Sequence, residues 1–214
     1  MQMFDLLIFD LDGTLVDSSA DIIAAVNFTR QFLALPIMDD KEIIHMVGDG
    51  TDKLVERLIG PAHQGRYAEA LAIFIAYYDA HLLDNATLYA GVTDVLDFFS
   101  HKKKVIITNK RENMTRKITD AFSLTDRFDD IIGMGTTPFR KPDLRILQPV
   151  LTRFCIEPHQ AIIVGDGIAD LQLARNAGIK SCGMLNGFTP REALLELKPD
   201  FSCEHLREIK AMFC

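Results

Sequence analysis

Residues 3–14 read MFDLLIFDLDGT, and this stretch decides how the rest of the chain is interpreted. The apolar run from Met3 to Phe9 has the length of a strand, and the Asp12-Gly13-Thr14 that follows is typical of a turn. Apolar character that continues without alternation is typical of a strand buried on both faces. We therefore predict a buried strand that ends in a loop carrying two acidic residues, Asp10 and Asp12.

Beyond residue 86, helical and strand patterns alternate along the chain. Strands are predicted at residues 104–108, 131–134, 161–164 and 179–185, and helices at 92–101, 112–122, 143–154, 169–177 and 191–197, with a weaker helix at the C-terminus. Such alternation implies a parallel sheet that is covered by helices on both faces. The sequence therefore predicts an α/β fold with a Rossmann-like, doubly wound parallel sheet.

Residues 17–85 differ in character, because their apolar residues repeat at helical spacing and no strand pattern is evident. Ser18 and Asp21 have the spacing of a capping box at the start of the first helix. The helical stripes are Ile22, Val26, Thr29 and Leu33, then Leu54, Val55, Leu58 and Ile59, and then Tyr67, Leu71, Phe74, Tyr78 and Leu82. We predict an all-helical cap domain at 17–85, inserted into a catalytic core of residues 1–16 and 86–214.

The composition excludes several classes of function. The 214 residues carry 23 Lys and Arg against 30 Asp and Glu, a formal net charge of −7. A protein that binds a phosphate backbone needs a basic face, so nucleic acid is not an expected partner. The apolar runs fall far short of the roughly 18 residues of a bilayer span, and the N-terminus lacks the basic region of a signal peptide. We expect a cytoplasmic protein with no membrane partner.

Polar residues follow four of the predicted strands, at the edge where parallel sheets bind ligands. They are Asp10 with Asp12, Thr108 with Asn109, Lys141, and Asp166 with Asp170. Four carboxylates in one place repel one another unless a cation binds, and Mg²⁺ prefers such oxygen ligands. Lys141 adds a positive charge and Thr108 a hydroxyl donor. The set is therefore suited to hold a phosphoryl group, which one aspartate attacks while its neighbour transfers the proton.

These residues, in this order, resemble the four motifs of the haloacid-dehalogenase-like hydrolase superfamily. The motifs are D-L-D-G-T-L at residues 10–15, T-N-K at 108–110, K-P at 141–142 and G-D-x-x-x-D at 165–170. The helical insertion is similar to the cap of that superfamily, and residues 10–18 and 47–55 look like its phosphoglycolate phosphatase group. Two positions depart from the group, Asp143 where a second proline is frequent and Gly167 where Ser is common. Neither departure removes a catalytic group.

The resemblance implies a role for each residue. Asp10 is implied as the nucleophile and Asp12 as the general acid and base. Thr108, Asn109 and Lys141 are implied to bind the phosphoryl group. The implied Mg²⁺ ligands are Asp10, the backbone carbonyl of Asp12 and Asp166, with Asp170 nearby or bound through water. A cap loop that closes over the substrate is implied at Gly48, Asp49, Gly50 and Lys53.

The expected function is that of an Mg²⁺-dependent phosphatase, which hydrolyses the phosphomonoester of a small metabolite through phospho-Asp10. Phosphoglycolate is the best single substrate, and the protein is expected to act as a monomer or homodimer. One alternative is a phosphosugar mutase of the same superfamily, which product analysis would distinguish. Another is a non-catalytic binding module that retains the fold, although every catalytic position implied by the resemblance is filled.

Overall fold

The central strand of the molecule is the one that MFDLLIFDLDGT predicts. The computed structural model describes residues 4–213, and β1 occupies Leu6–Phe9 within them. Residues 1–3, including the start predicted at Met3, lie outside the described residues. All four residues of β1 are buried. Leu7 and Phe9 pack into one apolar cluster and Leu6 and Ile8 into another, because successive side chains of a strand point to opposite faces of a sheet.

Eight strands form the two sheets that the structure describes. They are β1, β2 (Val16–Asp17), β3 (Thr87–Leu88), β4 (Lys103–Arg111), β5 (Asp130–Met134), β6 (Ala161–Gly165), β7 (Lys180–Met184) and β8 (Phe201–Cys203). Six of them form a parallel sheet in the order β5-β4-β1-β6-β7-β8. Because the chain leaves β1 toward β4 and later returns to β6 on its other side, the carboxyl end of β1 adjoins the crevice where such sheets bind ligands.

Ten α-helices accompany these strands within residues 4–213. They are α1 (Ser19–Phe32), α2 (Asp40–Ile44), α3 (Thr51–Ile59), α4 (Tyr67–His81), α5 (Val92–Phe98), α6 (Glu112–Ala121), α7 (Gln148–Phe154), α8 (Ile168–Ala177), α9 (Arg191–Glu196) and α10 (Ile209–Met212). Buried residues of α5 and α6 join one apolar cluster, and those of α7 and α8 join the cluster on the other face. The predicted fold class is confirmed. None of these helices has the length and apolar character needed to cross a membrane.

Helices α1 to α4 form the insertion between β2 and β3, and this name is kept below. The predicted stripes place Ile22 and Val26 of α1 and Phe74 of α4 in the interior. They belong to the same apolar cluster as Leu7 and Phe9 of β1, so the insertion packs continuously onto one face of the sheet. The domain limits at 16/17 and 85/86 stay a prediction.

Two details of the insertion were predicted wrongly. The chain enters and leaves it through an antiparallel ribbon in which Asp17 pairs with Thr87, a pairing too short to give a sequence pattern. The capping box at Ser18 and Asp21 does not form. Ser18 instead donates from Oγ to Oδ1 of Asp12 at 2.6 Å, and Asp21 accepts from the backbone N–H of Asn85 at 3.0 Å. Both side chains bond to partners outside α1, which the capping-box spacing does not reveal.

The core departs from its predicted elements in three places. The helix predicted at 143–154 begins at Gln148, after a single 3₁₀ turn at Leu144–Ile146, because Pro149 lacks an N–H and fits only the first turn. Strand β4 extends to Arg111, beyond its predicted end at residue 108. The three-residue edge strand β8 was not predicted.

Candidate active site

A cavity of about 60 Å³ lies between the carboxyl ends of the central strands and the insertion. Its core side includes Asp10, Asp12, Thr108, Asn109, Lys110 and Asp166. Its insertion side consists of Ile22, Val47, Gly48, Gly50, Thr51, Leu54, Phe74 and Tyr78. The structure thus brings the polar residues that follow β1, β4 and β6 to one edge of the sheet, under a largely apolar wall.

Three buried carboxylates form a cluster at this edge. Oxygen atoms of Asp10, Asp166 and Asp170 all lie within 4.8 Å of one another, and the three residues are between 0 and 9% exposed. The expectation of four clustered carboxylates is wrong in one respect, since the Asp12 side chain lies outside the cluster. That carboxylate accepts from the ammonium group of Lys110 at 3.0 Å, so its charge is already compensated. The implied metal contact of Asp12 is through its backbone carbonyl and stays a prediction.

Lys141 is the cation of the cluster. Its Nζ lies 2.9 Å from Oδ1 of Asp10 and 2.7 Å from Oδ1 of Asp170, and its side chain is 1% exposed. Burial by itself would lower the pKa of Lys141, but the two carboxylates outweigh burial and raise it. The side chain therefore remains a fixed positive charge beside the predicted nucleophile.

The pKa values of the other two carboxyl groups of the cluster are raised. Burial, reinforced by the charges of Asp10 and Asp170, raises the pKa of Asp166 to about 8. Hydrogen bonds that Asp166 accepts from the Phe188 N–H at 2.7 Å and from the Thr14 hydroxyl at 2.8 Å lower this pKa but do not outweigh burial. Burial likewise raises the pKa of Asp170 to about 7, against the opposing charge of Lys141. The cluster is therefore short of positive charge.

The shape and donor chemistry of the cluster fit a hard divalent cation. Three carboxylates face one ammonium group, and carboxylate oxygen is the donor type that Mg²⁺ prefers. Gly13 makes room for this arrangement. Its φ is +79°, and a Cβ there would lie 2.2 Å from Oδ2 of Asp166. Asp10, Asp166 and Asp170 are therefore the residues suited to hold Mg²⁺.

Asn109 joins Lys141 to the insertion. Its Nδ2 group donates to the backbone oxygens of Gly48 at 3.0 Å and Lys141 at 3.1 Å, and its Oδ1 accepts from the Lys141 N–H at 2.9 Å. Both amide protons are thereby used, so the side chain positions its neighbours and has no donor left for a phosphoryl group. Thr108 is 2% exposed and lines the cavity, where its hydroxyl accepts from the Lys110 N–H at 3.3 Å.

The predicted cap loop divides into two parts. Gly48 and Gly50 line the cavity, whereas Asp49 and Lys53 do not. Asp49 is paired with Arg57, and Lys53 with Glu56 at 2.6 Å, in ion pairs that are about half exposed. The structure therefore places the backbone of this loop, and not its charged side chains, at the cavity.

Lys110 and Tyr78 were not predicted as site residues. The Lys110 ammonium group donates to the Tyr78 hydroxyl at 2.6 Å and lies 4.6 Å from the centre of the Tyr78 ring. Burial raises the pKa of Tyr78 to about 12 despite this ammonium group, so the phenol stays neutral. Lys110 directly follows Thr108-Asn109 at the end of β4, and that position was the available signal. Tyr78 has the spacing of an ordinary core residue, and nothing in the sequence marks it.

The comparison with known proteins agrees with this geometry. Residues 7–184 match the model of the haloacid dehalogenase-like hydrolase family. The chain belongs to this family. The resemblance found in the four motifs is thereby confirmed, and the protein is an enzyme of the hydrolase class.

Relatives within the family carry more specific names. A phosphoglycolate phosphatase of Chromobacterium violaceum is 36% identical over 87% of this chain and 87% of its own length. Phosphoglycolate phosphatase 1 of Pseudomonas aeruginosa is 34% identical over 95% of this chain and 78% of its own length. The crystal structure of a predicted phosphoglycolate phosphatase from Haemophilus somnus superposes with a TM-score of 0.94 over 100% of both chains, at 25% identity.

Proposed function

We propose that the protein is an Mg²⁺-dependent phosphatase that hydrolyses the phosphomonoester of a small metabolite, and that phosphoglycolate is this substrate. The observation that carries the proposal is the buried Asp10–Lys141–Asp170 triad next to Asp166, of which Asp10 and Asp166 line the cavity. The names of the relatives from Chromobacterium violaceum and Pseudomonas aeruginosa support the choice of substrate.

The size of the cavity favours a small substrate. The cavity of about 60 Å³ is far smaller than the roughly 300–1,000 Å³ of a pocket for a drug-sized ligand. The insertion side is mainly apolar, so the several hydroxyl groups of a sugar would lose their hydrogen bonds to water without replacement. These two features favour a short phosphate ester over the phosphosugar of a mutase.

The proposed reaction begins with Asp10. Its carboxylate oxygen attacks phosphorus and forms a P–O bond while the ester P–O bond breaks, and Lys141 screens the two negative charges from each other. In its protonated form, Asp12 gives a proton to the leaving oxygen, which departs as an alcohol and leaves Asp12 as the carboxylate that pairs with Lys110. Asp12 then removes a proton from water, whose oxygen attacks phosphorus, so that inorganic phosphate leaves and Asp10 is restored. Bound Mg²⁺ would add charge stabilisation for the phosphoryl oxygens.

The test is phosphate release from phosphoglycolate and from a panel of small phosphate esters, with and without Mg²⁺. Asp10→Asn should lower turnover by a factor of at least about 10³, the loss typical when a catalytic nucleophile is removed, while the protein remains folded. Mass spectrometry of acid-quenched enzyme should find a phosphoryl group on Asp10. Turnover by Asp10→Asn at a rate close to that of the wild type would contradict the mechanism. Transfer to a second hydroxyl group without phosphate release would indicate a mutase, and absence of turnover a binding module.

A further inference from the structure

Three sulfur atoms meet at the edge of the sheet, where β7 pairs with β8. Sγ of Cys203 on β8 lies 3.8 Å from Sγ of Cys182 and 3.3 Å from Sδ of Met184, which both belong to β7. The three residues are between 0 and 2% exposed. Cys182 and Met184 are two positions apart on their strand, so their side chains point to the same face of the sheet. The proposed phosphatase reaction uses none of these atoms.

The strand register opposes a disulfide between the two thiols. Cys203 lies opposite Met184, whereas Cys182 lies opposite Phe201. Neighbouring strands are about 4.8 Å apart and two residues extend about 6.6 Å along a strand, so the Cα atoms of Cys182 and Cys203 are about 8 Å apart. A disulfide requires less than about 7 Å between its Cα atoms. Both cysteines are free in the structure, and the backbone would have to move before they could form a bond.

The spacing of the sulfurs suits a metal ion instead. Metal–thiolate distances are about 2.3 Å, so three sulfurs in a plane around one ion lie about 4 Å from one another. The distance of 3.8 Å between the two thiols is close to this value. The Met184 thioether is closer to Cys203, but its side chain has three rotatable bonds and adapts readily to its surroundings. An ion therefore fits between sulfurs that a covalent bond does not join.

The chemistry of the donors selects the kind of ion. Within residues 4–213, no histidine, aspartate or glutamate joins the two cysteines in a ligand cluster. A structural Zn²⁺ site needs four ligands, mostly thiolate and imidazole, whereas a set of thiolate and thioether sulfurs selects Cu⁺. The surroundings favour a monovalent ion as well, because both cysteines belong to an apolar cluster. An ion of charge +1 that replaces one thiol proton leaves the buried charge unchanged, which avoids the cost of an uncompensated charge.

The position of β8 provides access to the sulfurs. This strand has three residues and is the last in the sheet order. Short elements at an edge open locally at a low cost in free energy. The loop after β7 leads to Phe188, whose N–H donates to Asp166 at 2.7 Å, so the sulfurs lie close in the chain to the carboxylate cluster. The two sets differ in chemistry, since carboxylate oxygens prefer the hard ion Mg²⁺.

We propose that Cys182, Met184 and Cys203 form a binding site for one soft monovalent metal ion, and that Cu⁺ is this ion. Cys203 lies within 3.8 Å of both other sulfurs and is the central ligand. The site is separate from the carboxylate cluster and requires no phosphatase activity. Metal binding and phosphate release are therefore tested independently of each other.

The test is a calorimetric titration of the whole chain with Ag⁺, a soft monovalent ion that does not change its oxidation state under these conditions. An anaerobic titration with Cu⁺ against a coloured Cu⁺ chelator gives the affinity for Cu⁺ itself. Both use the variant Cys155→Ser/Cys214→Ser, which lacks the exposed thiol of Cys155 and that of Cys214, a residue outside those that the structure describes. This variant should bind one ion per chain, and saturating Mg²⁺ should not displace it.

Further substitutions in this variant test each sulfur. Cys203→Ala should lower the affinity for Cu⁺ at least about a hundredfold, because a zinc-finger site gains several kcal/mol from each of its four ligands. Cys182→Ala should have a similar effect. Met184→Leu conserves the volume of the side chain and both thiols, and should lower the affinity about tenfold, a smaller loss because a thioether carries no charge. Met114→Leu, at a buried methionine of α6, is the matched control and should leave the affinity unchanged.

Thermal unfolding without metal shows whether each variant is folded, and Met184→Leu keeps the test decisive if an alanine variant is not. A titration in which the Cys155→Ser/Cys214→Ser variant binds neither Ag⁺ nor Cu⁺ would overturn the site. Equal affinities of that variant with and without Met184→Leu would do the same, as would one bound ion in Cys182→Ala/Cys203→Ala. Loss of both free thiols once the ion is removed would show a disulfide in place of the site. No substrate is present in these titrations, so failure of the site is distinguishable from failure of the proposed function.

Discussion

Lys110 and Asp12 form an ion pair in which Nζ lies 3.0 Å from Oδ2 and the two side chains are 4% and 13% exposed. Burial by itself would lower the pKa of Lys110, but the charge of Asp12 outweighs burial and, together with the bond to Tyr78, raises it. The lysine therefore stays charged. Through its bond to Tyr78, it connects the proposed acid–base residue of the core with helix α4 of the insertion.

Replacement of Lys110 by methionine should destabilise the protein by about 3 kcal/mol, because it leaves a largely buried carboxylate without its cation. Urea unfolding of the metal-free protein measures this loss. The double variant Asp12→Asn/Lys110→Met should lose less, since it removes both charges. Lys117→Met is the matched control. Its ammonium group pairs with Asp79 where the two side chains are 48% and 34% exposed, and the loss there should be below about 1 kcal/mol. Equal losses in the two single variants would contradict the assignment.

Tyr78→Phe tests the contact between Lys110 and the insertion. The variant keeps the ring under the ammonium group but loses one hydrogen bond, so it should lower the free energy of unfolding by about 1 kcal/mol and kcat/KM roughly fivefold. Tyr77→Phe removes a hydroxyl from the neighbouring position, where the ring stacks on Phe28 at 4.1 Å. That control should change neither quantity measurably. If Tyr78→Phe retains full activity, the hydroxyl has no part in orienting Lys110 toward Asp12.

The raised pKa values of the cluster make metal binding depend on pH. The pKa of Asp166 is about 8 in the folded, metal-free protein against an ordinary value of 3.8, so the folded state binds the proton more tightly than the unfolded state. This contribution to stability is complete below pH 3.8 and is lost as pH rises through about 8. Mg²⁺ must displace the proton below that pH. The increase in Tm at saturating Mg²⁺ should therefore be larger near pH 8 than near pH 6.

Asp166→Asn serves as the control for this pH dependence. It removes the group that titrates near pH 8, so most of the Tm increase with Mg²⁺ should disappear at every pH. The metal-free variant should also be more stable than the metal-free wild type near that pH, because one of three mutually repelling carboxylates is gone. An Mg²⁺-induced shift that is the same at both pH values would mean that the metal does not compete with protons at the cluster.

The sequence predicted the fold wherever burial follows a regular period. Leu6–Phe9 is buried on both faces and has a continuous apolar pattern, and α1 and α4 show the spacing of one buried helix face. Elements of two or three residues, such as β2 and β8, escaped prediction, since no period fits into that length. The capping box failed for a different reason. Its spacing is local, whereas Ser18 and Asp21 bond to Asp12 and Asn85.

The site prediction was most accurate for side chains whose position follows from the strand they belong to. Residues at the carboxyl ends of parallel strands meet at one edge, so the approach of Asp10 and Asp166 followed from the predicted parallel sheet. Contacts across the cavity depend on how the insertion packs. The neutralisation of Asp12 by Lys110 is of this kind, and only the tertiary structure reveals it.

The contribution of Asn109 can be measured against a control, because Asn27 makes nearly the same bonds elsewhere in the chain. Asn109→Ala removes the bonds to Lys141 and Gly48 and leaves buried backbone groups unpaired, so it should cost about 2 kcal/mol of stability and lower kcat/KM at least about tenfold. Asn27→Ala removes the same type of bonds, to the N–H and O of Met38 at 2.9 and 3.3 Å, away from the cavity.

The control should therefore lose stability without loss of kcat/KM. Asn109→Asp provides a further comparison, since it keeps the acceptor for the Lys141 N–H but places an acceptor against two carbonyl oxygens. It should be less active than Asn109→Ala, although it is closer to asparagine in size. Urea unfolding and steady-state kinetics on the three variants measure both effects. If Asn27→Ala and Asn109→Ala lower kcat/KM equally, the loss reflects general destabilisation, and Asn109 does not position Lys141 for the reaction.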